Sequence, residues 1–305
     1  MAVVEQMPEK LVLMYHSVAS SDFSGVIGSF PISIERFSKQ IQLLKRLDYK
    51  FKDVSELSTK TNPGEKHVFI TSDDATNDWC KNALPLLEEL DIPSHLGVIA
   101  GVWKKKPVYP MTHIIQIILA TRPQSELKKL AVRLLKLISK SDIEFIKLHY
   151  YYEKDDVRKI IKGAANLVLP ERLVTELIMP LTLKEKESLL VRFADLKSLK
   201  KFKSLTIGNH TCYHTTYGNS HGDYFSAEIE PWSTFFNKDK LTISSIFTLP
   251  IRARADSNLD SLKSTLKLNG YSAMFTGSGV WDGKSFIIPR IDAKKFEETF
   301  VRWHF

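Results

Sequence analysis

Apolar residues in this chain recur at two spacings that take turns. The run Lys10 to Tyr15, apolar from Leu11 onward, reads as a buried strand and ends in Tyr15-His16-Ser17. After a loop rich in Gly, Ser and Pro, Ser33 can cap a helix that carries Ile34, Phe37, Ile41 and Leu44 at helical spacing. The unit then repeats: a strand over 67–71, an acidic turn, a helix bearing Trp79, Ala83, Leu86, Leu87 and Leu90, then Pro93 and a strand from Ser94 to Ile99. Strands that alternate with helices predict parallel pairing, and parallel sheets place their sites at the carboxyl ends of the strands. His16, Asp73 and Asp74 all fall at such ends.

From about Trp103 to Leu199 the texture changes. Stretches rich in Leu, Ile, Lys and Glu predict helices over 111–121, 125–140, 142–152, 155–166 and 183–193, with few strand signals between them. So many helices in succession exceed what strand–helix alternation needs, which favours an insertion or cap over 104–193 rather than outer helices of a barrel. Alternation resumes with a helix over 194–203, a strand over 204–208, a helix over 222–237, a strand over 244–249, a helix over 257–268 and a strand over 271–275. The expectation is an α/β fold built from 1–103 and 194–305, with no internal repeat.

Two adjacent carboxylates at a strand end are costly neighbours unless they have separate tasks. The segment Ile207-Gly208-Asn209-His210-Thr211-Cys212-Tyr213-His214 brings two imidazoles at H-x3-H spacing, and one carboxylate with two histidines is a common ligand set for a divalent metal. Read alone, Asp73 and Asp74 also fit a helix N-cap with its first-turn partner, and His210 and His214 a turn with a satisfied core histidine. Arg290 is open to two readings, a charge-assisted bond that orients Asp73 or a structural ion pair. Asp78 reads as a structural polar residue, His95, His149 and His221 as structural or surface, and Cys212 as packing.

Composition narrows the class. The 305 residues are 43% hydrophobic, 26% charged and 10% aromatic, an ordinary globular balance. Two cysteines, Cys80 and Cys212, exclude a disulfide framework and are compatible with a reducing compartment. The first residues show no basic-then-apolar leader and no long uncharged apolar run occurs, so a cytoplasmic protein without a transmembrane segment is expected. The net charge of +8, concentrated at Lys104-Lys105-Lys106 and Lys200-Lys201-Phe202-Lys203, favours anionic partners or a peripheral contact with the inner membrane face, though short lysine runs are mostly solvated surface. No nucleic-acid-binding motif accompanies that charge.

Val68-Phe69-Ile70-Thr71-Ser72-Asp73-Asp74-Ala75 resembles the first motif of the polysaccharide deacetylases (the NodB-homology group, carbohydrate esterase family 4), and Ile207 to His214 is similar to that family's Gly-Asn-His-Ser/Thr-x-x-His motif. Leu11 to Val18 resembles the opening Tyr-His-x-Val signature of one branch, whose closing strands are similar to Gly270–Thr276 and Ile288–Asp292. The resemblance covers roughly 10–103 and 194–292 and leaves the helical middle uncovered. It implies a distorted (β/α)7-type barrel with a helical insertion, and a hydrolase that removes the N-acetyl group from an amino sugar of a polysaccharide or its precursor. It further implies a divalent metal, zinc foremost, on Asp74, His210 and His214, with Asp73 as base and His16 as acid; His304 is a looser competitor for the last role. The implied partner is an N-acetylated carbohydrate, and a lipid-linked or nucleotide-linked one would suit the charge.

The chain departs from the family pattern at Ser72 and Ala75, where Phe and Gly are usual, and around Thr248-Leu249-Pro250-Ile251-Arg252, where a Tyr is missing. An alanine after the acids puts a Cβ into a turn that favours glycine. These departures support a second reading, a catalytically weakened or silent glycan-binding or interaction protein.

Overall fold

Among the described residues, eight parallel strands run side by side in a sheet that curls nearly into a barrel, with helices packed around it. They are β1 (Lys10–Tyr15), β2 (Lys66–Ser72), β3 (Ser94–Val98), β4 (Leu205–Asn209), β5 (Ile243–Thr248), β6 (Ala273–Thr276), β7 (Ile287–Pro289) and β8 (Ile291–Asp292). Neighbours along the chain pair with one another from β1 to β7, and β8 returns to β1, with Leu13 opposite Ile291. β7 and β8 are successive pieces of one strand broken at Arg290: the first piece pairs with β6, the second with β1. Counting the broken strand once leaves seven staves among the described residues, the (β/α)7-type architecture that the resemblance implies. A short strand, Tyr49–Phe51, pairs with the start of β2, where β3 does not reach. This computed structural model describes residues 7–21, 31–150, 156–167, 176–177, 180–218, 224–236, 241–251, 258–277 and 279–300.

Alternation along the strands explains why they read as continuous apolar runs. Val12 and Phe69 face the barrel interior with Ile246, Phe275 and Ile288, while Leu11, Leu13, Val68 and Ile70 face the helices. Both faces are covered, so no polar stripe survives. Helix α1 (Ile34–Arg46) begins as predicted, with Ser33 Oγ accepting from the Arg36 amide, and it buries Phe37, Gln40, Ile41 and Leu44. Gln40 joins three elements, accepting from the Tyr15 hydroxyl and donating to the Ala293 carbonyl.

Both motifs of the sequence are followed by a single widened helical turn. Trp79–Ala83 leads into α2 (Leu84–Glu89), and Phe225–Ile229 precedes the helix Glu230–Phe236. Asp78 has the structural role expected of it: it accepts from the Trp79 amide and from the Ser17 hydroxyl.

The helical middle contains α3 (Met111–Thr121), α4 (Gln124–Leu135), α5 (Lys140–Tyr150), α6 (Val157–Leu167) and α7 (Leu183–Leu190). They bury an apolar cluster of their own, including Ile114, Ile118, Leu127, Leu134, Ile146, Ile161 and Leu189. Predicted boundaries shift by a few residues here, and the helix expected over 194–203 shrinks to α8 (Leu196–Leu199), capped by Asp195. No helix among the described residues is long and apolar enough to cross a membrane.

Glu185 fastens this segment. It closes a capping box with Thr182 and accepts from Arg122 Nη1 at 2.7 Å, Arg122 Nη2 at 2.9 Å and Thr121 Oγ1 at 2.7 Å, so the end of α3 is tied to the start of α7. Burial opposes its charge, but these donors win and hold its carboxyl down to about 2. A carboxylate depressed on folding stabilises the protein above its unfolded value near 4.3 and loses that contribution as pH falls toward the folded value. Glu185→Ala is therefore expected to cost about 1.5–3 kcal/mol at pH 7, a deficit that shrinks by pH 3, as read from urea unfolding at both pH values.

Candidate metal centre

The carboxyl ends of β2 and β4 deliver both motifs to one end of the barrel. Phe69, Thr71 and Asp73 share the inward parity of β2, and the Asp73 amide donates to the Tyr15 carbonyl at 3.0 Å, continuing the ladder past the strand. The chain then turns sharply, with Asp74 at φ 71° and Ala75 at φ 56°. Aspartate tolerates this left-handed region, whereas alanine adopts it at a cost. The turn is held from outside: the Ala194 amide donates to the Ala75 carbonyl at 2.9 Å, the Asn77 amide to the Arg192 carbonyl at 2.7 Å, and Thr76 bridges Phe193. Ala75 is thus held in this left-handed conformation by a pairing segment supplied from the end of the helical middle.

The histidine loop is fastened as closely. The Thr211 amide donates to Asn209 Oδ1 at 2.9 Å, and the His214 amide to Thr211 Oγ1 at 2.8 Å, which carries Thr211 and His214 through positive φ. Glu228, in the widened turn behind the loop, accepts from the Tyr213 amide at 2.8 Å and the Thr215 hydroxyl at 2.6 Å; burial pushes its carboxyl up. Gly97 on β3 faces the site, where a Cβ would lie 3.1 Å from Asp73 Oδ1 and 3.3 Å from His210 Cβ.

Asp73 and Asp74 are both buried but meet different surroundings. Asp73 takes a bidentate pair from Arg290, Nη1 to Oδ1 at 2.8 Å and Nη2 to Oδ2 at 2.6 Å. Arg290 is 1% exposed, lies over the Phe275 ring, and donates to Thr71 Oγ1 as well. Burial opposes the charge on Asp73, yet the Arg290 guanidinium, with His210 and His16 beyond it, holds the carboxyl down to about 2. The half-buried His16 follows β1, and its carbonyl accepts from Thr76 Oγ1 at 2.6 Å.

Asp74 is surrounded by imidazoles. Its Oδ1 lies 3.3 Å from His210 Nε2 and 3.5 Å from His214 Nε2, and this buried oxygen has no hydrogen bond. The opposite ring nitrogens are engaged elsewhere, His210 Nδ1 with the Thr248 carbonyl at 2.9 Å and His214 Nδ1 with Thr112 Oγ1 at 3.4 Å. A carbonyl only accepts, so His210 carries its proton on Nδ1 when neutral and aims a lone pair from Nε2 at the centre. Burial opposes a second proton on His210, but Asp73 and Asp74 outweigh it and raise the ring above its usual value; burial takes His214 down to about 3. Burial also opposes the charge on Asp74, which the histidines around it hold well below the usual carboxylate range.

These residues fit a divalent cation. An orphaned carboxylate oxygen faces two ring nitrogens, and the three donor atoms lie within 4.8 Å of one another. A proton and a metal ion compete for such nitrogens, and two nitrogens with one oxygen leave coordination positions open.

Sequence reasoning missed a third histidine. His113, fully buried on α3, lies 3.1 Å from Asp74 Oδ2 through its Nε2, and Arg192 Nε donates to its Nδ1 at 3.1 Å. Burial draws His113 below its usual value and Arg192 down to about 10. The one available signal was a single imidazole in the apolar helix Met-Thr-His-Ile-Ile-Gln-Ile-Ile-Leu-Ala-Thr, which composition alone assigns to the core. His95 is indeed core: fully buried, bonded to Ser244 Oγ at 2.9 Å and lowered to about 3 by burial. Cys212 is fully buried as expected, and His221 and His304 lie outside the described residues.

No protein-family model matches the chain, and no curated protein matches its sequence. Solved structures do match in fold. The chain is similar to IcaB from Ammonifex degensii at a TM-score of 0.50 and 15% identity, covering 96% of this chain and 94% of that one. It is similar to the Streptococcus pyogenes deacetylase PplD in complex with acetate at a TM-score of 0.50 and 15% identity, covering 95% and 97%. The chain therefore shares the overall fold of these two proteins.

Proposed function

We propose that this protein is a metal-dependent hydrolase that removes the N-acetyl group from an amino sugar of a polysaccharide or its precursor. The observation that carries the reading is the pairing of two environments at adjacent residues: Asp74 faces His210 and His214, while Asp73 is clamped by Arg290. PplD, a deacetylase in complex with acetate, shares the fold. The sequence motifs, the geometry and the fold point the same way.

Asp74, His210 and His214 would hold the metal, zinc being the best match to two imidazoles and a carboxylate. Bound there, a divalent ion supplies Lewis acidity, polarising an amide carbonyl and acidifying a water. Asp73 is the base. Arg290 keeps it ionised at neutral pH and fixes its plane, so its role is to receive a proton at a set position rather than to pull strongly for one. His16 is the acid that protonates the departing amine, and Asp73 lies within its electrostatic reach. The net charge of +8 suits an anionic carrier on the sugar, a lipid or nucleotide phosphate, handled in the cytoplasm or at the inner membrane face.

The test is acetate release from N-acetylglucosamine oligomers by purified protein, metal-free and zinc-loaded. Release that needs the metal and returns on reloading is the expected result. Stoichiometric zinc without release from any N-acetylated sugar tried would favour the silent glycan-binding reading.

A further inference from the structure

The geometry points to the helical segment 104–193 as a working part of the metal centre: His113 is a positioning residue for Asp74, and Arg192 sets its tautomer. This rests on the metal-centre reading above and deepens it.

The argument is one of donors and acceptors. A guanidinium only donates, so the Arg192 Nε contact requires a lone pair on His113 Nδ1. The ring proton then sits on Nε2 and points at Asp74 Oδ2. An Nε2 that carries a proton has no lone pair for a cation, which makes His113 a support and not a fourth ligand. Its hydrogen bond fixes which carboxylate oxygen faces His210 and His214: Oδ2 is occupied and Oδ1 is free. A ligand presented through one oxygen at a fixed angle is what such outer partners secure.

Two further contacts place the same segment against the centre. Thr112, one residue earlier on α3, lies 3.4 Å from His214 Nδ1, so the first turn of α3 touches two of the three ligand residues. Arg192 also donates to Gln116 Oε1 at 2.6 Å, one turn further along α3. The backbone of 192–194 pairs with the turn over 75–77 that presents Asp74. Entry and exit of the helical segment converge on one carboxylate.

The test uses the full chain stripped of metal and titrated with zinc against a chelator, and with cobalt to read its visible spectrum. Asp74→Asn is the control for the centre itself. His113→Phe fills the ring's space without a donor and is expected to weaken zinc about 10- to 100-fold and to change the cobalt spectrum. His113→Gln restores a donor near the Nε2 position and should recover much of that affinity, which a space-filling role would not predict. Arg192→Met should alter the spectrum in the same sense with a smaller loss. Wild-type affinity and spectrum in His113→Phe, while Asp74→Asn fails to bind, would overturn the inference and leave the metal centre standing. Equal losses in the Phe and Gln variants would overturn it too. A wild-type protein that binds neither zinc nor cobalt removes the centre and the inference together.

Discussion

Asp73→Asn is expected to retain stoichiometric zinc and to lose turnover of an N-acetylated sugar by about 10²–10⁴-fold, the contribution of a positioned proton acceptor. The side chain keeps its shape but not its charge. Asp74, His210 and His214 are untouched, so metal content stays the same. The substitution also leaves Arg290, 1% exposed, without its anionic partner, and opening one side of a buried ion pair costs about 3–5 kcal/mol. Turnover must therefore be measured where unfolding curves show the variant folded. A folded, zinc-loaded Asp73→Asn protein that releases acetate at the wild-type rate would remove Asp73 from the role of base.

The second large effect is expected at Asp74. Asp74→Asn should abolish stoichiometric zinc binding, measured by elemental analysis after dialysis, and with it all turnover. Asparagine is the sharper probe than alanine, because residue 74 sits at φ 71° and asparagine tolerates that region, so lost binding is not confused with a broken turn. What disappears is a negative charge that faces both imidazoles and that, after Asp73, helps raise His210 above its usual value. His210→Ala should have the same consequence for zinc. Full zinc retention in both variants would show that the metal lies elsewhere or that the cluster is a satisfied hydrogen-bond core.

Much of this site was legible in contiguous residues. The strand ends before His16, Asp73 and His210 followed from apolar runs, because a strand covered on both faces must be apolar throughout. Ser33 as a cap and the apolar face of α1 were equally readable, since an N-cap and a 3.6-residue period are local properties. Boundaries in the helical middle were less so. Helical periodicity shows that a face is buried but not where the last turn frays, and the stretch over 194–203 keeps only one helical turn.

The sequence by itself determined that strands and helices alternate, that a helical stretch interrupts them, and that two acids and two histidines stand at strand ends. Only the tertiary structure decided their company. Arg290 reaches Asp73 across 217 residues because the last strand breaks at that position. Ala75 can hold a glycine-like conformation because 192–194 pairs with the turn around it. His113 supports Asp74 because α3 docks its first turn against the barrel's open end. The reason is the same in each case: the spacing of apolar residues specifies which face of an element is buried, and what lies opposite that face is set only when the elements pack.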